Sequence, residues 1–169
     1  MRRPALERLA GHYLPDLVYG ANDGIITTFA VVSGVVGASL SERVIVILGL
    51  ANLVADGLSM GASNYLARRS QAEEQLAERR EAARHGLATA LGFVVAGVIP
   101  LVAYLAPLDS DARFPVAIGL AAAALFGVGA ARTFVTKRGL LRSGAEMLVV
   151  GSAAAAVAYA IGAVAASFT

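Results

Sequence analysis

The chain has 169 residues, 57% of them hydrophobic and 15% charged, with a mean hydropathy of +0.69, no cysteine and no tryptophan. That apolarity exceeds the roughly 45–50% usual for soluble domains and predicts an integral membrane protein. The lack of cysteine excludes disulfide scaffolds, thiolate metal sites and cysteine nucleophiles, and the formal net charge of +2 conceals a segregation of charge that reports topology rather than nucleic-acid binding.

A helix needs about 20 apolar residues to cross a hydrocarbon core roughly 30 Å thick. Stretches of that kind, bounded by charge or proline, run in chain order from Leu17 to Ala38, Val44 to Ala67, Leu87 to Ala106, Phe114 to Ala131 and Leu141 to Phe168. The expected fold is all-α: five transmembrane helices forming a single transmembrane domain over residues 1–169. Met1 to Asp16 lacks the apolar core of a cleavable signal sequence. Basic residues are retained on the cytoplasmic side, and they gather in alternate loops. Arg2, Arg3 and Arg8 precede span 1, Arg68, Arg69, Arg79, Arg80 and Arg84 lie between spans 2 and 3, and Arg132, Lys137, Arg138 and Arg142 lie between spans 4 and 5. Only Arg43 and Arg113 fall on the other side, which predicts a cytoplasmic N-terminus and a C-terminus on the opposite face. Ser39 to Arg43 and Pro107 to Arg113 read as short turns. The charged stretch Arg68 to His85 reads as a cytoplasmic continuation of span 2 or as a solvated linker.

An aspartate at the middle of a membrane helix costs about 2.5–3.5 kcal/mol on insertion scales, so acids inside spans are the first functional candidates. Two occur away from the span ends, Asp23 and Asp56. Helical spacing puts Asp23, Thr27, Ala30, Gly34 and Gly37 on one face of span 1. Val18, Ile25, Phe29, Val32 and Val36 point away, toward lipid or packing neighbours. In span 2, Asn52, Asp56 and Met60 recur every four residues beside Ser59 and Ser63, opposite Ile47, Leu50, Val54, Leu58 and Tyr65. Two carboxylates, an amide oxygen and a thioether make a ladder suited to a divalent cation, and the sulfur tilts preference from magnesium or calcium toward iron(II) or a neighbouring transition metal. The competing reading is a hydrogen-bonded pair of acids that only holds spans 1 and 2 together. Glu146, four residues after Arg142, reads as half of an interfacial ion pair. His12 and His85 fall outside the apolar stretches and read as surface histidines.

These residues resemble the vacuolar iron transporter family. The resemblance rests on Asp23-Gly24 in span 1, Ser59-Met60-Gly61 and Tyr65-Leu66-Ala67 in span 2, and the last span from Leu148 to Gly162, and it covers nearly the whole chain. It implies a five-helix protomer, a homodimer with the ion path between chains, and export of iron(II), sometimes manganese(II), in exchange for protons. Asp23 and Met60 match positions the family uses in its path. Where the family often has a glutamate eight residues before the span-2 methionine this chain has Asn52, and Asp56, one turn further along the same face, is expected to replace it. Many members also carry a long cytoplasmic metal-binding insertion between spans 2 and 3. Here only Arg68 to His85 occupies that place, with Glu74, Glu78 and Glu81 as a possible metal-contacting face or as part of a solvated charged helix.

The resulting expectation is a transporter and not an enzyme, lying in a prokaryotic-type plasma membrane and needing no cofactor besides its transported cation. Asp23, Asn52, Asp56 and Met60 hold the metal, Asp23 and Asp56 exchange it for protons, and Gly20, Gly24, Gly34, Gly57 and Gly61 allow close helix packing. A non-transporting membrane scaffold, whose acids and glycines only specify helix association, is the rival.

Overall fold

The computed structural model describes residues 5–71, 76–136 and 139–168. Its helices are α1 (Ala5–Gly37), α2 (Glu42–Gln71), α3 (Leu76–Gly97), a 3-10 turn (Ile99–Leu101), α4 (Val102–Leu105), α5 (Ser110–Ala131), α6 (Thr133–Thr136) and α7 (Leu140–Ala166). No strand occurs among the described residues. Four stretches are long and apolar enough to cross a membrane: Glu42–Gln71, Ala77–Leu105, Ser110–Ala131 and Leu140–Ala166. Their outward faces expose Ile47, Val54, Leu58, Leu91, Val95, Ile118, Val149, Val157 and Ile161, the surface a lipid-facing bundle requires.

Helix α1 is more polar because of Asn22, Asp23, Thr27, Thr28 and Ser33, and its position explains how that is tolerated. It packs against α2, α3, α5 and α7, so most of its surface meets protein. Ile25, Phe29 and Val32 are buried core, and Thr28 and Ser33 are shielded alongside them. Of the two surroundings open to the bulky face of span 1, the structure therefore selects packing neighbours for these three. α1 approaches its neighbours almost backbone to backbone. A Cβ on Gly20 would lie 2.1 Å from the Thr89 carbonyl oxygen and one on Gly24 2.2 Å from that of Phe93, both in α3. On α7, a Cβ on Gly162 would lie 2.0 Å from the Gly34 oxygen. Gly57 and Gly61 of α2 face α3 more loosely, at 2.8 Å from the Val94 side chain and 2.9 Å from the Gly86 oxygen, and Gly34 has room for ordinary contact at 3.5 Å from Ala158.

The connections follow from backbone hydrogen bonding. α1 ends with Ser39 N–H donating to the Val36 carbonyl at 2.9 Å and Leu40 N–H donating to that of Val35 at 3.1 Å, a Schellman closure that needs Ser39 at φ 55°. Pro100, lacking an N–H, interrupts the third span, which tightens to a 3-10 turn before α4. Two details differ from the sequence expectation. The charged stretch after span 2 is divided: α2 continues to Gln71, while Glu78, Glu81, Arg84 and His85 belong to the first turns of α3. α1 also starts well before Leu17, at Ala5, and runs through Pro15. The polar ends of α1, α2 and α3 meet, with Asp16 of α1 bonded to Arg68 of α2 and His85 of α3.

Candidate functional site

Asp23 on α1 and Asn52, Asp56 and Met60 on α2 are all half-buried. The two carboxylates are close enough to feel each other's charge, yet neither accepts a hydrogen bond among the described residues. Thr27 does not serve Asp23: its hydroxyl donates to the backbone oxygens of Asp23 at 2.9 Å and Gly24 at 3.5 Å. The Asn22 Oδ1 and Asn52 Nδ2 atoms on the same helices are buried without a partner. Buried amide atoms left unpaired are costly, and a ligand that supplies the missing interactions relieves that cost. Met60 also lines a cleft of about 610 Å³ between α1 and α2, with Pro15, Asp16, Tyr19, Ser59, Ser63, Asn64 and Ala67 around it. Ser59 and Ser63 are exposed. The cleft leads from the polar ends of the helices to the thioether.

A second polar centre shares Asp16 and Asn64 with that cleft. Asp16, buried, accepts hydrogen bonds from His85 Nδ1 at 2.6 Å, Asn64 Nδ2 at 2.7 Å and Arg68 Nη2 at 3.1 Å. Burial pushes its carboxyl up, but the hydrogen bonds from His85, Asn64 and Arg68 outweigh it and hold the group below the usual carboxylate range, as an anion. Asn64 also donates to the Thr89 hydroxyl at 2.6 Å, and its oxygen accepts from Arg68 Nε at 3.0 Å. Beyond His85 lie His12 and Glu81. His12 Nε2 is 2.8 Å from Glu81 Oε1 and 3.2 Å from His85 Nε2, and the Tyr13 hydroxyl donates to the same glutamate oxygen at 2.8 Å. The Tyr13 bond, followed by that of His12, lowers the Glu81 carboxyl against its partial desolvation, while Glu81 raises the Tyr13 phenol.

The VIT family model matches residues 14–85 and 73–163, which together cover most of the chain. The chain belongs to the VIT family. The family is one of transporters, not of enzymes, and membership together with the apolar helices makes this an integral membrane protein. The "Vacuolar iron transporter homolog 1" of Oryza sativa subsp. japonica is 30% identical over 168 residues, covering 88% of this chain and 72% of the relative. The "Vacuolar iron transporter homolog 5" of the same plant is 28% identical over 164 residues, covering 89% and 79%. The "Vacuolar iron transporter" of Plasmodium berghei is 44% identical over 68 residues, 40% of this chain, and that match spans only 25% of the relative's length.

For this VIT-family chain the sequence reading needs one correction: His85 is not a surface histidine. It is 4% exposed and bound to Asp16, because the first turns of α3 pack on α1. Of the three glutamates considered there, Glu81 joins the histidines, Glu78 is half-buried with Oε2 unpartnered, and Glu74 lies outside the described residues. Glu146 does bond Arg142 Nε, at 3.2 Å. The missed residues carry a signal in their spacing. His12, Asp16, Gly20 and Gly24 recur every four residues on α1, as Glu81, His85, Thr89 and Phe93 do on α3, so each set forms one stripe.

Proposed function

We propose that this chain is a membrane transporter that moves a divalent transition metal, iron(II) or manganese(II), out of the cytoplasm in exchange for protons. The observation that carries the reading is the pair Asp23 and Asp56: two half-buried carboxylates without hydrogen bonds, on helices that also carry the unpartnered Asn22 Oδ1 and Asn52 Nδ2 atoms and the half-buried Met60 thioether. Protons and metal ions compete for a carboxylate that lines an ion path, and that competition couples the two fluxes. Asn52 and Met60 complete the inner set, the sulfur favouring iron(II) over magnesium. α1 is the fifth span, its polarity matched by protein on most sides, with the N-terminus cytoplasmic and the C-terminus opposite. The cleft at Met60 is then the cytoplasmic entrance.

One protomer offers few ligands for a six-coordinate ion. A homodimer with the path at its two-fold axis doubles the set, and the outward face of α2 carries the apolar Val54, Leu58 and Leu66 that such a contact, or lipid, would cover. The names of the relatives support iron as cargo. We assign the chain to a prokaryotic-type plasma membrane, a location that differs from the vacuolar one in the names of the plant and Plasmodium relatives. The scaffold reading is weaker, because acids retained only to join α1 and α2 would bond each other.

The test is flux into proteoliposomes of purified protein with iron(II), manganese(II) or magnesium, with and without a pH gradient. Proton-coupled transition-metal flux is expected from wild type and lost in Asp23→Asn and Asp56→Asn that assemble normally. No flux from well-folded wild type under any gradient returns both acids to a structural role.

A further inference from the structure

The stripe His12–Asp16 on α1 and the stripe Glu81–His85 on α3 bring three ligand atoms together at the polar end of the bundle: His12 Nε2, Glu81 Oε1 and His85 Nε2, all within 4.8 Å of one another. The edges of this triangle are 2.8, 3.2 and 3.7 Å. Ligand atoms held about 2.1 Å from a tetrahedral cation stand roughly 3.4 Å apart, and about 3.0 Å apart around an octahedral one, so the triangle already has the dimensions of a coordination face.

The groups behind the triangle aim it. Asp16, an anion bound also by Arg68 and Asn64, has only acceptor atoms to offer, so His85 must donate its Nδ1 hydrogen to it across 2.6 Å. That leaves the Nε2 lone pair of His85 directed at His12 and Glu81. A carboxylate behind a ligating imidazole fixes its tautomer and orientation, and the Tyr13 hydroxyl at 2.8 Å steadies the Glu81 carboxylate in the same way. Access is open on one side: the His12 and Glu81 side chains are 54% and 38% exposed, whereas that of His85 is 5% exposed. We propose that His12, Glu81 and His85 form a binding site for a divalent transition-metal cation, with the remaining coordination positions left to water.

Two imidazoles and one carboxylate suit zinc, cobalt(II), iron(II) or nickel(II) and are a poor set for magnesium, which takes oxygen ligands. The inference stands on α1 and α3 alone and does not require the transport reading. The site adjoins the cleft of Met60 through Asp16, which lines that cleft and bonds His85.

The experiment is a titration of chelator-stripped protein in nanodiscs with cobalt(II), read by hyperfine-shifted imidazole N–H signals and by calorimetry. Wild type is expected to show histidine-ligated cobalt at one equivalent per protomer, undisturbed by millimolar magnesium. Affinity falls at least tenfold in His12→Ala and in Glu81→Gln, and 10- to 100-fold in Asp16→Asn. The histidine signals persist in Asp23→Asn, so failure of flux and failure of this site are read separately. His12 is at the surface, so its variant folds even if His85→Ala does not. Wild-type affinity in both His12→Ala and Glu81→Gln, displacement by magnesium, or loss of the histidine signals in Asp23→Asn overturns the proposal.

Discussion

Gly24 is where the packing of this bundle is most directly testable. Replacing a helical glycine by alanine normally stabilises a helix by about 1 kcal/mol, because alanine has less backbone freedom to lose. Here the added methyl would stand 2.2 Å from the Phe93 carbonyl oxygen, with the Phe93 carbonyl carbon and Cα both at 2.9 Å. An ordinary carbon–oxygen contact is roughly 3.3 Å, so α1 and α3 must separate by about 1 Å. The obstacle is backbone, and no rotamer change removes it. Overpacking of this kind costs about 1–3 kcal/mol, and a rigid neighbour places it at the upper end, leaving a net loss of about 2 kcal/mol after the propensity gain. For a chain of this size that lowers the melting temperature by roughly 4–8 °C. With no tryptophan or cysteine to report unfolding, the assay is circular dichroism at increasing temperature in detergent. Gly119→Ala in α5 is the control: nothing lies within 4 Å of its Cβ position, so it should melt at or above wild type. A Gly24→Ala protein as stable as Gly119→Ala would refute the close-approach argument.

Asn64→Leu removes donors to Asp16 and Thr89 and the acceptor for Arg68; leaving the buried carboxylate short of a partner should cost about 1–3 kcal/mol, visible in the same thermal scan. At the other end of the bundle Arg113 pairs with Glu42 and donates from Nε to the Leu108 carbonyl at 3.0 Å. Both partners are partly exposed, so Arg113→Ala should cost only about 0.2–1 kcal/mol, and less in high salt, measured as the difference in melting temperature between low- and high-salt buffer. Met60→Leu keeps the volume and should leave folding within about 1.5 kcal/mol of wild type, while competition flux shifts away from iron(II) toward manganese(II). Unchanged selectivity would remove the thioether from the ligand set.

What could be read from the sequence depended on the solvent each residue meets. α2, α5 and α7 expose apolar side chains over much of their surface, and the continuous apolar run this requires is what any hydropathy reading finds. α1 meets mostly protein, so polar residues interrupt its apolar run, and its beginning at Ala5 was hidden because Glu7, Arg8, His12 and Asp16 break the continuous apolar stretch, although Leu6, Leu9, Ala10, Tyr13 and Leu14 keep a helical spacing. The break at Pro100 was equally hidden: a count of apolar residues registers span length, not the missing N–H. Asp23, Asp56 and Met60 stood out because a polar or soft group inside an apolar run is conspicuous one residue at a time. His85 did not, because its partners Asp16 and His12 are 69 and 73 residues away and its burial exists only once α3 lies on α1.

The glycine contacts and the histidine cluster are two parts of one stripe, and that gives a sharper test than either alone. Gly20 lies one turn along α1 from Asp16, and its backbone contact with Thr89 lies one turn along α3 from His85. The close approach therefore sets the register in which Asp16 meets His85 at 2.6 Å; a displacement of 1 Å exceeds what a hydrogen bond of that length tolerates. Gly162 makes an equally close approach, 2.0 Å against 2.1 Å for Gly20, but it brings α7 onto the other end of α1. Gly20→Ala and Gly162→Ala should accordingly destabilise the fold to a similar degree, about 2 kcal/mol by the reasoning applied to Gly24. Only Gly20→Ala should weaken cobalt(II) at His12, Glu81 and His85, because only that substitution moves α1 against α3 beside the cluster. If both variants lose cobalt affinity in proportion to their stability, the cluster responds to global loosening and the α1–α3 register does not govern it.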